Sequence, residues 1–156
     1  MTVRLLKDAS ISDVRREMTR IFHEGSVDPS VKQLADLAVF SSPDPVIAVH
    51  SFVRQTFQYQ ADPEGAELFI HPRRVAQDYF LGNPRSMDCD DHALLVASML
   101  GALGKQTRIL IVGTKSQELD HALAQVNTLL GWVSVDTTDS HPLGWVRKFW
   151  QTIVVD

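Results

Sequence analysis

The sequence predicts an α+β fold, with a layer of helices first, a run of strands last and one helix between them that is enclosed by protein. Three observations carry this. Helical spacing of apolar residues fills the first third; residues 92–103 (HALLVASMLGAL) are apolar almost all round; and beyond Gly104 the texture becomes strand-like.

The first helix is expected over about residues 12–23, with Val14, Met18, Ile21 and Phe22 as its apolar stripe and an end near Gly25. Asp28-Pro29 and Asp44-Pro45 each set a capping acceptor before a proline suited to the first helical position, so both read as helix starts. Val31, Leu34, Ala35, Leu37 and Ala38 then recur at helical spacing, as do Val46, Val49, Phe52, Val53 and Phe57. Residues 60–65 are turn-rich, Pro72 opens a short helix through about Phe80, and Gly82-Asn83-Pro84 breaks the chain again. The apolar helix follows. Strands are expected at 108–112 (RILIV), 121–127 (HALAQVN) and 132–136 (WVSVD), with an edge strand at Gln151–Val155, giving an antiparallel sheet packed on the central helix.

With 156 residues, 44% hydrophobic and 22% charged, the chain is expected to form one domain with a sizeable core. A formal net charge of -4 and the lack of any Lys/Arg run argue against nucleic acid and anionic membrane as partners. The N-terminal residues turn polar too soon for a secretory core, and no apolar stretch nears the roughly 20 residues that span a bilayer. A cytoplasmic protein is the expectation.

One cysteine, Cys89, leaves no intrachain disulfide and no multi-cysteine zinc site. On composition alone it reads as a small buried apolar residue. Its position argues otherwise: it follows a loop and starts the buried helix, where free amides and the positive end of the macrodipole favour a thiolate. Asp88, Asp90 and Asp91 oppose this by raising a neighbouring thiol, so a cationic partner is required. Of His23, His50, His71, His92, His121 and His141, His92 is tied to the orientation of its own helix. His121 is the better candidate, because it opens a strand that a hairpin joins to the one ending in Asp136. A four-residue loop at 128–131 makes His121 a same-face diagonal neighbour of Asp136; a six-residue loop sets them directly opposite, and a five-residue loop puts them on opposite faces. An acidic residue there would orient the imidazole toward sulfur, as the third member of a Cys-His-Asp triad does.

Met87-Asp88-Cys89-Asp90-Asp91-His92-Ala93, Ala102-Leu103-Gly104 with Arg108, Asp120-His121-Ala122, and Gly131-Trp132 through Asp136-Thr137-Thr138 together resemble the transglutaminase-like core. Phe57-Gln58-Tyr59, Asp62-Pro63 and His71-Pro72-Arg73 resemble its upstream segment, so the likeness covers about residues 46–140. It implies a papain-like fold in which Cys89 attacks an amide or ester carbonyl of a peptide or protein, His121 moves the proton and Asp136 orients His121. Water as acceptor gives a peptidase or amidase; an amine gives a transglutaminase. The Cys89 amide is the natural oxyanion donor, with Gln77, Asn83 and Tyr59 as candidates for the second. No cofactor or metal is implied, and similar short proteins occur in bacterial and prophage settings. Met87, Leu123 and Thr137 depart from the family's usual glycine, aromatic and proline.

Other readings stand beside this one. The module is inactive and binds a peptide or protein through the same scaffold, or Asp91-His92, Asp120-His121 and Asp139 with His141 build a metal site. An EF-hand beginning at Cys89 lacks its glycine and glutamate. Asp88, Asp90 and Asp91 read best as charge complementarity at a helix start, Trp132, Trp145 and Trp150 as packing at the sheet, and His23 and His71 as exposed or capping residues.

Overall fold

The structure is a computed structural model, described here for residues 3–6, 10–63, 67–115, 118–149 and 151–156. Five α-helices and six strands follow in the order β1 (Val3–Leu6), α1 (Ile11–Ser26), α2 (Pro29–Ala38), α3 (Pro45–Thr56), β2 (Glu67–Ile70), α4 (Pro72–Phe80), α5 (Cys89–Ala102), β3 (Thr107–Gly113), β4 (His121–Thr128), β5 (Gly131–Val135) and β6 (Gln151–Val155). The fold is α+β, as predicted.

Local chemistry explains the helix starts. Asp28 and Asp44 accept amide hydrogens from the first turns of α2 and α3, ahead of the expected prolines, and His71 does the same for α4 through Nδ1. The start of α1 is a Ser10/Asp13 capping box, which sets its first residue at Ile11, and the helix runs to Ser26, one residue past the expected end near Gly25. Asp88 caps α5 by accepting the Asp91 amide at 3.0 Å.

β3 to β6 form one antiparallel sheet in the order β5-β4-β3-β6, so β6 is an edge strand as expected. α5 packs on β3 and β4 and is enclosed on its other sides by α1, α2 and α3. Residues Ala93–Ala97, Met99 and Leu100 are almost completely buried, which is why this helix shows no polar face in sequence. Ala122, Ala124, Val126, Ile109, Ile111 and Val135 join it in the main core, while Leu110, Val112 and Leu123 form a small cluster of their own. The β1/β2 pair, antiparallel with Val3 opposite Ile70, was not predicted. Among the described residues, no helix is long and apolar enough to cross a membrane.

Candidate functional site

The β4/β5 hairpin decides the geometry. Asn127 pairs with Trp132 and Ala124 with Val135, the register of the four-residue-loop alternative, although Thr128 also pairs with Gly131 and only Leu129 and Leu130 lie beyond the ladder. Gly131 takes φ of 95°, a conformation that favours glycine and lets the chain reverse there. Continuing this register sets Asp136 opposite Leu123, and His121 reaches it from the diagonal. His121 Nε2 lies 2.7 Å from Asp136 Oδ2.

Asp136 is held on every side. Its Oδ1 accepts from the Thr138 amide at 3.0 Å and the Thr138 hydroxyl at 2.7 Å, and its backbone carbonyl accepts from His50 Nε2 of α3 at 3.0 Å. Burial pushes the Asp136 carboxyl up, but the hydrogen bond and charge of His121 with the Thr138 donors prevail and bring it down to about 2. The next residue, Thr137, meets His92 Nδ1 of α5 through its hydroxyl at 2.7 Å. Burial depresses His92 to about 4 and lowers His50 as well, so both are neutral supports near pH 7. The sequence reading names Thr138 and His50 but gives neither this role. Asp-x-Thr is a local turn signal that points to Thr138, whereas His50 lies 86 positions from its partner and has no local signature.

Cys89 sits at the first position of α5, beside Asp88 and Asp90, and lines with His121 a cleft of about 240 Å³ that also contains Tyr59, Asp62, Leu119 and Asp120. Burial, then the charges of Asp90 and Asp88, raise the thiol well above its ordinary value, and an opposing hydrogen bond from the Ala122 backbone does not reverse this. The resting sulfur is therefore a neutral thiol, not the thiolate that the helix start favours. The segment carrying Tyr59 is fixed beside Cys89 by a ladder: the Met87 amide donates to the Gln58 carbonyl at 2.9 Å and the Gln60 amide to the Met87 carbonyl at 2.8 Å. Of the candidate second oxyanion donors, Tyr59 lines the cleft; Gln77 in α4 and Asn83 after it do not.

His71 caps α4, one of the two roles expected of it, and is buried, with Nε2 3.1 Å from Glu24 Oε2. Other expectations are refined. Asp91 stands in the first turn of α5 as expected and is also a buried tie, accepting the Ile70 amide at 2.8 Å; burial and Asp88 raise its carboxyl. Trp132 is half-buried under the Arg108 guanidinium, 4.0 Å from the ring centre, and Trp145 stacks on His141 at 3.5 Å outside the sheet. Trp150 lies outside the described residues. The Asp-His pairs do not converge; Asp62, Asp88 and Asp91 instead bring one carboxylate oxygen each within 4.8 Å of one another.

No family model matches the sequence, and no curated protein does. The fold does have solved counterparts, two of which are described as putative proteases. A putative cysteine protease from Cytophaga hutchinsonii superposes with a TM-score of 0.54 over 97% of this chain and 61% of its own, at 14% identity. A putative protease from Parabacteroides distasonis gives a TM-score of 0.54 over 78% of this chain and 26% of its own, at 12% identity. The chain thus spans less than two thirds of either neighbour, and the likeness is one of fold.

Proposed function

We propose that the protein is a cysteine acyl-transfer enzyme of transglutaminase-like type acting on an amide or peptide bond, with Cys89 as nucleophile, His121 as acid and base, and Asp136 as the group that orients His121. The observation that carries this reading is the His121–Asp136 hydrogen bond of 2.7 Å at a cleft that also contains the thiol of Cys89. With Nε2 engaged by Asp136, His121 works through Nδ1. It takes the thiol proton as sulfur attacks the carbonyl carbon, and the Cys89 amide, the first of α5, faces the developing oxyanion. Collapse breaks the C–N bond, His121 returns the proton to the departing amine, and a thioester remains. Water then releases an acid; an amine in its place releases a new amide. Hydrolysis is the favoured outcome. Because the resting thiol is neutral, proton removal has to accompany attack, which makes His121 indispensable rather than helpful.

That same raised thiol favours a second reading, in which the module is inactive and binds a peptide or protein. One experiment separates the two. Iodoacetamide labelling of Cys89, followed by mass spectrometry across pH 6–9, should be about a hundredfold slower in His121→Ala, because His121 has to take the proton as sulfur attacks. A rate indifferent to His121→Ala removes the enzyme reading.

A further inference from the structure

The surface around Cys89 carries an ordered charge pattern. The cleft of about 240 Å³ that holds Cys89 and His121 is lined by Asp62, Asp88, Asp90 and Asp120, and among the described residues its lining contains no lysine or arginine. It continues in two directions. A depression of about 250 Å³ shares Ala61, Asp62 and Asp88 with it, and a second of similar size shares Tyr59, Asp120 and His121. Through these shared residues the three adjoin as a trough, with Cys89 lining the depression between the other two.

Its ends differ. At the first, oxygens of Asp62, Asp88 and Asp91 converge within 4.8 Å, and the arginine lining that end, Arg85, is bonded to Asp78. Pro63, Leu68, Ile70 and Met87 add an apolar wall beneath the carboxylates. At the other end lie Lys115 and Arg147, the latter paired with Asp139. An aliphatic stem on the apolar wall, with a cationic head at the carboxylates, is the arrangement long basic side chains adopt.

We propose that this trough selects a peptide bearing a lysine- or arginine-like cation next to the scissile carbonyl, with the cation at the Asp62 and Asp88 end; this rests on the acyl-transfer reading above. The cation would act twice. It gains attraction on binding, and it offsets part of the Asp90 and Asp88 charge that, after burial, holds the Cys89 thiol up, so the substrate itself eases formation of the nucleophile. A neutral or acidic substrate supplies neither effect.

The test uses the whole chain and three dipeptidyl acyloxymethyl ketones, identical except for Lys, Leu or Glu beside the ketone. In each, Cys89 sulfur bonds to the methylene carbon, the carboxylate departs with the bonding electrons, and the thiol proton passes to His121. Labelling is read as the mass gained at Cys89. At low ionic strength the Lys reagent is expected to react about tenfold faster than Leu, with Glu slower still, and the differences should narrow at about 0.5 M salt. Asp62→Asn should lower the ratio of Lys to Leu labelling rates several-fold, and an unchanged ratio overturns the inference. Leu or Glu reacting as fast as Lys overturns the inference while leaving acyl transfer intact. If no reagent labels Cys89, or if labelling is indifferent to His121→Ala, the acyl-transfer reading fails and this inference falls with it.

Discussion

Asp136 shows how much one residue's role depends on bonds that sequence spacing does not reveal. Its link to His121 was legible, because a hairpin of countable loop length fixes which side chains share a face. Its other three bonds, two from Thr138 and one from His50, were not, since the second of these donors comes from α3. Removing the negative charge while keeping the shape tests the role assigned here. Asp136→Asn cannot stabilise a cationic imidazole, so Cys89 alkylation at pH 7 is expected to fall at least tenfold, by the same mass measurement used for His121→Ala. Unchanged alkylation would leave His121 working alone. Asp136 also has a stability signature. Its folded value of about 2 lies below the ordinary 3.8, so its contribution is complete above pH 3.8 and is lost as pH falls through 2. The full effect is on the order of 2 kcal/mol. In Asp136→Asn, acid unfolding monitored by circular dichroism should show a shallower loss of stability between pH 4 and 2.

At the scale of elements, α1 and α5 make the most extensive helix–helix contact among the described residues, and Gly25 lies in it against Ser98. A Cβ at Gly25 would meet Ser98 Oγ at 2.5 Å, Ser98 Cβ at 3.0 Å and Pro72 Cγ at 3.2 Å. Alanine in a solvent-facing helix would gain up to about 1 kcal/mol over glycine. Here overpacking wins, and Gly25→Ala is expected to destabilise by about 1–3 kcal/mol in urea unfolding. Ser98→Ala in the same chain should restore part of that loss, since the first clash is with the hydroxyl. A stabilised Gly25→Ala would mean that the helices separate without cost. The sequence reading placed a boundary at Gly25 but had no means of seeing this contact, because α1 and α5 lie far apart in the chain. The same limit explains which elements were legible. α2, α3 and α4 carry their own start signals in Asp-Pro and His-Pro, and α5 announces its enclosure by lacking a polar face. β1 and β2 are four residues each, too short for periodicity to speak, and their pairing joins Val3 to Ile70 across the first helices.

For the whole molecule, the buried histidines link folding to acid. Burial lowers His50, His71 and His92, with His92 down to about 4, so each is harder to protonate when folded than when unfolded. The stability such a group contributes is complete above its unfolded value of 6.5 and declines as pH falls through the folded value. For His92 that window runs from about 6.5 to about 4, before Asp136 begins to titrate. Asp91 works in the opposite sense. Its raised carboxyl contributes most below 3.8 and loses that contribution as pH rises, so the overall profile mixes both signs. The difference between two proteins isolates the histidine. His92→Gln retains a polar group opposite Thr137 but has nothing to protonate, so it should cost stability at pH 7.5 while flattening the fall between pH 6.5 and 4. The slope lost is at most about 1.4 kcal/mol per pH unit, the value for one proton. Urea midpoints measured every half pH unit for both proteins give that slope directly. Parallel curves would mean that His92 is protonated equally in the folded and unfolded chain, and would overturn the role given to its burial between Tyr59 and Thr137.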